Sequence, residues 1–334
     1  KRNRNTKPKL MQSKKDPKKL VLALAGGVGG AKLAHGLSLV KDPCDLVIVV
    51  NTGDDFTHLG FHISPDLDSV IYKFAGINDP VRGWGIENET WNFMDALSRI
   101  GGETWFNIGD RDLATHVERT QRLAEGQTLS EVTQELCRSY KISQNIVPMS
   151  DHRVGTIVDT EEGDFFFQDY FVKLSCKPVF TGVHFKGMEH AAPALGFTDS
   201  LSNPALAAVI ICPSNPFISI EPILSLPGIK NTLEKLRVPV VAVSPIIGNK
   251  SIKGPAAKML AEIGLPVSPL GIVKFYEKKI DGIVIDQFDA HLEQDIVKEG
   301  IEVLVTKTLM SSFNDEKLLA ENTLNLANKI RTKG

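Results

Sequence analysis

LVLALAGGVGGAKLAHGLSLVKDPCDLVIVVNTGDD, running from Leu20 to Asp55, decides the fold. The apolar run Leu20 to Ala25 reads as a buried strand, Ala31 to Val40 as the helix after it, and Asp45 to Val50 as the next strand. A strand–helix–strand opening predicts a parallel sheet with helices on both faces. Between the first strand and its helix stands Gly26-Gly27-Val28-Gly29-Gly30-Ala31-Lys32. Glycines at such a turn let the backbone approach a phosphate, and the helix N-terminus adds favourable partial charge. The loop is not a P-loop. Nor is it a full dinucleotide fingerprint, because Lys32 stands where the last glycine belongs. Gly27, Gly29, Gly30 and Lys32 are therefore candidate nucleotide or phosphate contacts.

Carboxylates follow at once. Asp54 and Asp55 come just after the second strand, at the edge of a parallel sheet where ligands bind. Asp66 and Asp68 lie two apart before a helix expected over Leu67 to Ala75, and either could instead be its N-cap. Four acids exceed what a ribose needs. Asp55, Asp66 and Asp68 together can supply hard oxygen ligands to Mg²⁺, which takes a few carboxylates and keeps water or phosphate on its other positions. A phosphate cradle beside clustered carboxylates suits metal-assisted chemistry at a nucleotide phosphate. A third cluster runs from Trp105 to His116. There Asp112 could cap the following helix, and Arg111 could pair with Asp110 or meet an anionic substrate together with His116.

Further on, Glu89 to Ile100, Leu113 to Glu125 and Leu129 to Tyr140 read as helices, and Val154 to Asp159 with Asp164 to Val172 as a small antiparallel hairpin. Pro148-Met149-Ser150-Asp151 reads as a turn before a strand, and 173–205 resists assignment. The α/β alternation then returns. Strands are expected at Ala207 to Cys212, Val238 to Val243, Gly282 to Asp286 and Glu302 to Thr306. Helices are expected at Ile223 to Leu236, Ala256 to Ile263, His291 to Glu299 and Glu316 to Ile330. The fold class is thus α/β, a doubly wound and mostly parallel Rossmann-like sheet. A single domain over 20–334 would carry a helical and small β insertion at roughly 77–205. Loops after the later strands hold Ser214 and Asn215, Ser244 to Gly248, and Lys253 to Ala256. Each alone is ordinary turn chemistry; together they suggest a second part of one long ligand cleft.

The 334 residues are 42% hydrophobic and 23% charged, enough for a large core. A formal net charge of -2 speaks against bulk electrostatic binding to nucleic acid or an acidic membrane. Four cysteines without a CxxC pair suggest buried free thiols in a reducing cytoplasm. Residues 1–19 carry nine Lys or Arg against one Asp and read as a disordered basic tail without the apolar stretch of a signal peptide.

Taken together, these motifs resemble one family, the 2-phospho-L-lactate transferases of coenzyme F-420 biosynthesis. The resemblance rests on the glycine loop, Asn51-Thr52-Gly53-Asp54-Asp55, Ser64-Pro65-Asp66-Leu67-Asp68, Trp84-Gly85-Ile86-Glu87-Asn88 and Gly109-Asp110-Arg111-Asp112. Pro148 to Asp151, Pro213 to Pro216 and Ser244 to Gly248 continue it in order. It implies transfer of a phospho-three-carbon acid (phospholactyl, phosphoenolpyruvyl or phosphoglyceryl) from its GDP-activated form to the deazaflavin Fo. The ribityl hydroxyl would attack phosphorus and GMP would leave. Mg²⁺, a homodimer and a cytoplasmic location are further implications. Deazaflavin contacts carry over to Asp68 and to Asn107, where the family commonly has a basic residue. Asp55, Asp68 and Arg111 are the candidate catalytic residues. Two readings compete with it. One is a nucleotide-sugar-binding regulator, which would have a glycine-serine run in place of Phe56-Thr57-His58. The other is an NAD-dependent oxidoreductase.

Overall fold

The computed structural model describes residues 19–333. The basic tail therefore lies outside the described residues except for Lys19, whose backbone N–H donates to the Ala205 carbonyl (3.0 Å). A seven-stranded sheet forms the centre. In space its order is Glu302–Thr306, Gly282–Asp286, Val240–Val243, Leu206–Ile211, Leu20–Ala25, Leu46–Val50, Asn145–Pro148. Every neighbouring pair is parallel. Such strands are covered on both faces, which is why Leu20–Ala25 and Leu46–Val50 are buried at every position. The side-chain alternation is plain in the first strand. Leu20, Leu22 and Leu24 enter one apolar core, and Val21, Ala23 and Ala25 enter the other.

The strand order reverses between Leu20–Ala25 and Leu206–Ile211, so a crevice opens at their carboxyl ends. Helix Gly27–Ser38 leaves the first of these ends and packs against Pro65–Ala75 and Phe313–Lys333. Gly36 makes the second contact possible: a Cβ there would collide with the backbone of Glu316. Gly36→Ala therefore carries a prediction with a definite sign. Helix propensity alone would stabilise by about 1 kcal/mol. Overpacking against backbone costs about 1–3 kcal/mol, so the variant should melt lower than the wild type in a thermal scan. A higher melting temperature would mean that the two helices separate freely.

The insertion expected at 77–205 is not one body. Asn145–Pro148 supplies the edge strand of the central sheet, beside Leu46–Val50, so the Pro148 turn follows a strand as well as preceding one. The expected hairpin is Gly155–Thr160 with Gly163–Phe166, and Phe180–Lys186 adds a third antiparallel strand. The helix expected over Ile223 to Leu236 is split into Glu221–Ser225 and Ile229–Lys235. Pro227 and Gly228 lie in the break; proline lacks the N–H to continue, and Gly228 adopts φ +82°. The helix expected from Glu89 starts at Asn92, and Pro269–Tyr276 is a helix that sequence reading missed. Cys137 and Cys212 are buried as expected, but Cys44 is exposed. Among the described residues no helix is long and apolar enough to cross a membrane.

Candidate active site

A cavity of about 590 Å³ lies at the crevice where the strand order reverses, within the range of small-molecule sites. Its floor is made by strand ends. Ser214 ties the two central ones together, accepting from the Gly26 N–H (3.1 Å) and donating to the Gly26 carbonyl (2.8 Å). The glycine turn is tighter than expected, since the helix already begins at Gly27. Gly27 (φ +62°) is in the left-handed region, and a Cβ on Gly29 would collide with the Pro213 carbonyl oxygen. Both line the cavity, as do Lys32, Ser214 and Asn215. Gly30 is not among the lining residues; it packs behind, against Ala25 and Ser214. Lys32 donates to the Met310 carbonyl (2.8 Å), and burial lowers its pKa against the opposing pull of Glu316. Asn215 spends its side-chain oxygen on the N–H of Phe217 (2.9 Å), capping the π-helical turn Pro216–Ile220.

The acids separate into two groups. Asp66 sits in the first turn of Pro65–Ala75, where Pro65 is preset for a helix start. Its Oδ1 accepts from the Gly27 N–H (2.7 Å) and its Oδ2 from the Asn51 side chain (2.9 Å). Asn51 also donates to the Ile218 carbonyl (3.2 Å) and accepts from Gly53 N–H (2.8 Å), so one amide ties three segments together. Asp54 lines the cavity with Asp66. Burial, then the neighbouring Asp66 and Asp55 charges, holds the Asp54 carboxyl well above the usual range. Burial likewise pushes Asp66 up to about 6, against the hydrogen bonds from Asn51 and Gly27. Asp54 Oδ1 is buried with no hydrogen-bond partner among the described residues. Two crowded, desolvated carboxylates with an orphaned oxygen fit a hard divalent cation.

The structure does not bring the whole expected metal set to the cavity. Asp55 is not on the cavity wall. Its Oδ2 accepts from Ser64 Oγ (2.7 Å) and meets His62 Nε2 (3.0 Å), which ties it to the hairpin Phe56–His58 and Phe61–Ile63. Asp68 is buried away from the cavity, and both its oxygens meet the guanidinium of Arg119, one at 3.1 Å. It therefore neither faces the ligand space nor caps the helix, whose N-cap is Ser64. Asp68, Asp112 and His116 do bring ligand atoms within 4.8 Å of one another, but Arg119 already supplies the cation there. Burial works against the Arg119 charge, yet Asp68 raises its pKa above the ordinary value. Asp112 accepts from Tyr72 Oη (2.5 Å) rather than capping a helix.

Arg111 is exposed and donates to the Glu87 carbonyl (2.8 Å), outside the cavity lining. Its surroundings are two helix starts that cap each other. Asp110 accepts from the N–H groups of Asn92 and Phe93, and Glu89 accepts from those of Arg111 and Asp112. The Thr90 hydroxyl leads the set of hydrogen bonds that holds Asp110 down at about 2. Asn107, by contrast, does line the cavity, beside Trp105 and Phe106.

Several lining residues were missed in the sequence. Phe167, Gln168, Phe171 and Val172 come from the π-helical turn Asp169–Lys173 and its approach. Thr308, Leu309 and Met310 follow the strand Glu302–Thr306; inspecting the residues after every parallel strand would have found them. Arg82 and Lys253 add cations, and the Lys253 Nζ donates to the Arg82 carbonyl (3.3 Å) where two loops meet at the cavity. The three late loops expected to share one cleft do so: residues of each line it.

Comparison with known proteins gives a consistent result. A family model described as "2-phospho-L-lactate transferase CofD" matches residues 21–313. A phosphoenolpyruvate transferase of Streptomyces griseus is 35% identical over 93% of this chain and 99% of its own length. A 2-phospho-L-lactate transferase of Methanosarcina mazei is 38% identical over 90% of this chain and 98% of its own. Among solved structures, a UPF0052 family member from Bacillus halodurans aligns with a TM-score of 0.59 at 12% identity, covering 92% of this chain and 99% of that one. At that identity the likeness speaks for the fold alone.

Proposed function

The chain belongs to the 2-phospho-L-lactate transferase family, CofD, and from that membership we propose that it transfers a phospho-three-carbon acid from a GDP-activated donor to Fo with release of GMP. One observation carries the reading. A single cavity joins a glycine turn and two crowded carboxylates to an aromatic wall of Trp105, Phe106, Phe167 and Phe171. The polar half suits a nucleotide diphosphate and the aromatic half a flat tricyclic acceptor.

The residues then divide the work. The Gly27 to Gly29 turn and Ser214 bring backbone close to the donor phosphates. Lys32, Arg82 and Lys253 supply positive charge around them. The aromatic wall and Asn107 orient the deazaflavin so that its ribityl hydroxyl reaches phosphorus. A new O–P bond forms as the bond to the GMP oxygen breaks, and the hydroxyl proton is released. Positioning and charge stabilisation dominate such a transfer. Asp54 and Asp66 would hold Mg²⁺, which when bound neutralises phosphate charge in the cleft. A homodimer and a cytoplasmic location belong to the same family-based reading.

The test is mass spectrometry of the product after incubation with Fo, Mg²⁺ and, separately, the phospholactyl, phosphoenolpyruvyl and phosphoglyceryl donors. A phosphodiester of Fo should form with at least one donor. It should disappear after chelation and return with added Mg²⁺. No product with any donor would overturn the transferase reading, and full turnover after chelation would overturn the metal assignment.

A further inference from the structure

Gln168 is only 7% exposed and lines the cavity among Phe167, Phe171 and Val172. Its side chain makes no capping hydrogen bond to the turn it opens, and its amide atoms are not among the sealed, unpaired polar atoms of the described residues. The Gln168 amide is therefore open to whatever the cavity holds, water or a ligand. The surroundings narrow the choice. Gln168 stands at the start of the π-helical turn Asp169–Lys173, a geometry concentrated at functional sites. Lys173 ties that turn to Trp105, its Nζ lying 4.1 Å from the ring centroid. Trp105, Phe106, Phe167 and Phe171 thus line the same space as Gln168.

A primary amide presents an acceptor and a donor side by side. The complementary partner is a lactam edge, a ring N–H beside a ring carbonyl, on a flat heterocycle. We propose that Gln168 reads the pyrimidine-dione edge of the deazaflavin acceptor, with Oε1 accepting from the ring N3–H and Nε2 donating to an adjacent ring carbonyl. This rests on the reading of the aromatic half as the acceptor site. Gln168 is then a specificity-determining residue. It selects flat acceptors with a free imide, while the aromatic wall supplies stacking to any ring.

Guanine offers a similar edge at N1–H and O6, so the experiment separates the two rings. Binding of Fo and of N3-methyl-Fo is followed by fluorescence in the wild type and in Gln168→Leu and Gln168→Met, and binding of GDP and N1-methyl-GDP by calorimetry. Circular dichroism establishes that the variants are folded. Two variants of different shape guard against one that fails. In the wild type, N3-methylation should weaken Fo binding by more than about tenfold, because a site built around a hydrogen bond rejects the analogue lacking it. In the variants, Fo and N3-methyl-Fo should bind within about twofold of each other. A methylation penalty that persists undiminished in both variants overturns the proposal. So does a penalty that Gln168 controls on N1-methyl-GDP instead, which would give the residue to the nucleotide base. Failure of the wild type to bind Fo at all is a different result: it strikes the acceptor reading itself, and this inference falls with it.

Discussion

Asp54→Asn should lower the transfer rate by roughly 10²–10³-fold while leaving thermal stability of the metal-free protein unchanged or raised. The substitution keeps the shape and removes one charge. That charge is costly in the fold, because it is buried beside Asp66 and Asp55 and one of its oxygens has no partner among the described residues. It persists where a cation can compensate it. Removing it relieves repulsion in the empty protein and removes a ligand in the loaded one, the trade between stability and function expected of an active-site group. The measurements are kcat at saturating substrates, Mg²⁺ affinity by calorimetry, and Tm in the presence of chelator. Preserved turnover with normal Mg²⁺ affinity would remove Asp54 from the reaction. A fall in Tm would show instead that its carboxylate is structurally satisfied.

The choice between Asp54 and Asp55 shows where local sequence reading stops. The two are adjacent at the end of the same strand, and pattern alone gives them equal standing. The fold parts them: Ser64 and His62 draw Asp55 to the hairpin, and the cavity keeps Asp54. The central strands were readable because burial on both faces leaves an uninterrupted apolar run, as in Leu46–Val50. Asn145–Pro148 was not, since a four-residue edge strand that starts exposed and ends on proline looks like a turn. Phe180–Lys186 is only partly buried, its alternation is interrupted at Gly182 and Val183, and Pro178 and Gly187 flank it as loop residues would. The glycine turn and the late Ser, Asn and Pro loops were legible for a different reason. In a doubly wound sheet every strand's carboxyl end faces one edge, so motifs far apart in sequence can be assigned to one cleft from topology. The aromatic wall has no such rule, because the turn carrying Phe167, Gln168 and Phe171 hangs on the small sheet rather than on a central strand.

Asp68→Asn should behave in the opposite way to Asp54→Asn, and the contrast tests the division of the acids into two groups. Sequence reading makes Asp68 a metal ligand and a deazaflavin contact, which would have this substitution damage turnover and spare the fold. The structure pairs its carboxylate with Arg119, 51 residues away and buried with it. No local spacing announces that partner. Removing the negative charge leaves a guanidinium buried beside Asp112 and His116 with its closest counter-charge gone. Breaking a buried pair from one side costs about 3–5 kcal/mol, which corresponds to a fall in Tm of roughly 4–7 °C for a chain of this size. A rescue arm makes the cause specific. Arg119→Met in the Asp68→Asn background removes the stranded charge, so the double variant should regain part of the lost stability rather than add a second loss. Turnover measured well below the lowered Tm should fall far less than in Asp54→Asn, because Asp68 does not face the cavity. Normal stability with turnover reduced a hundredfold would reverse both assignments and return Asp68 to the chemistry.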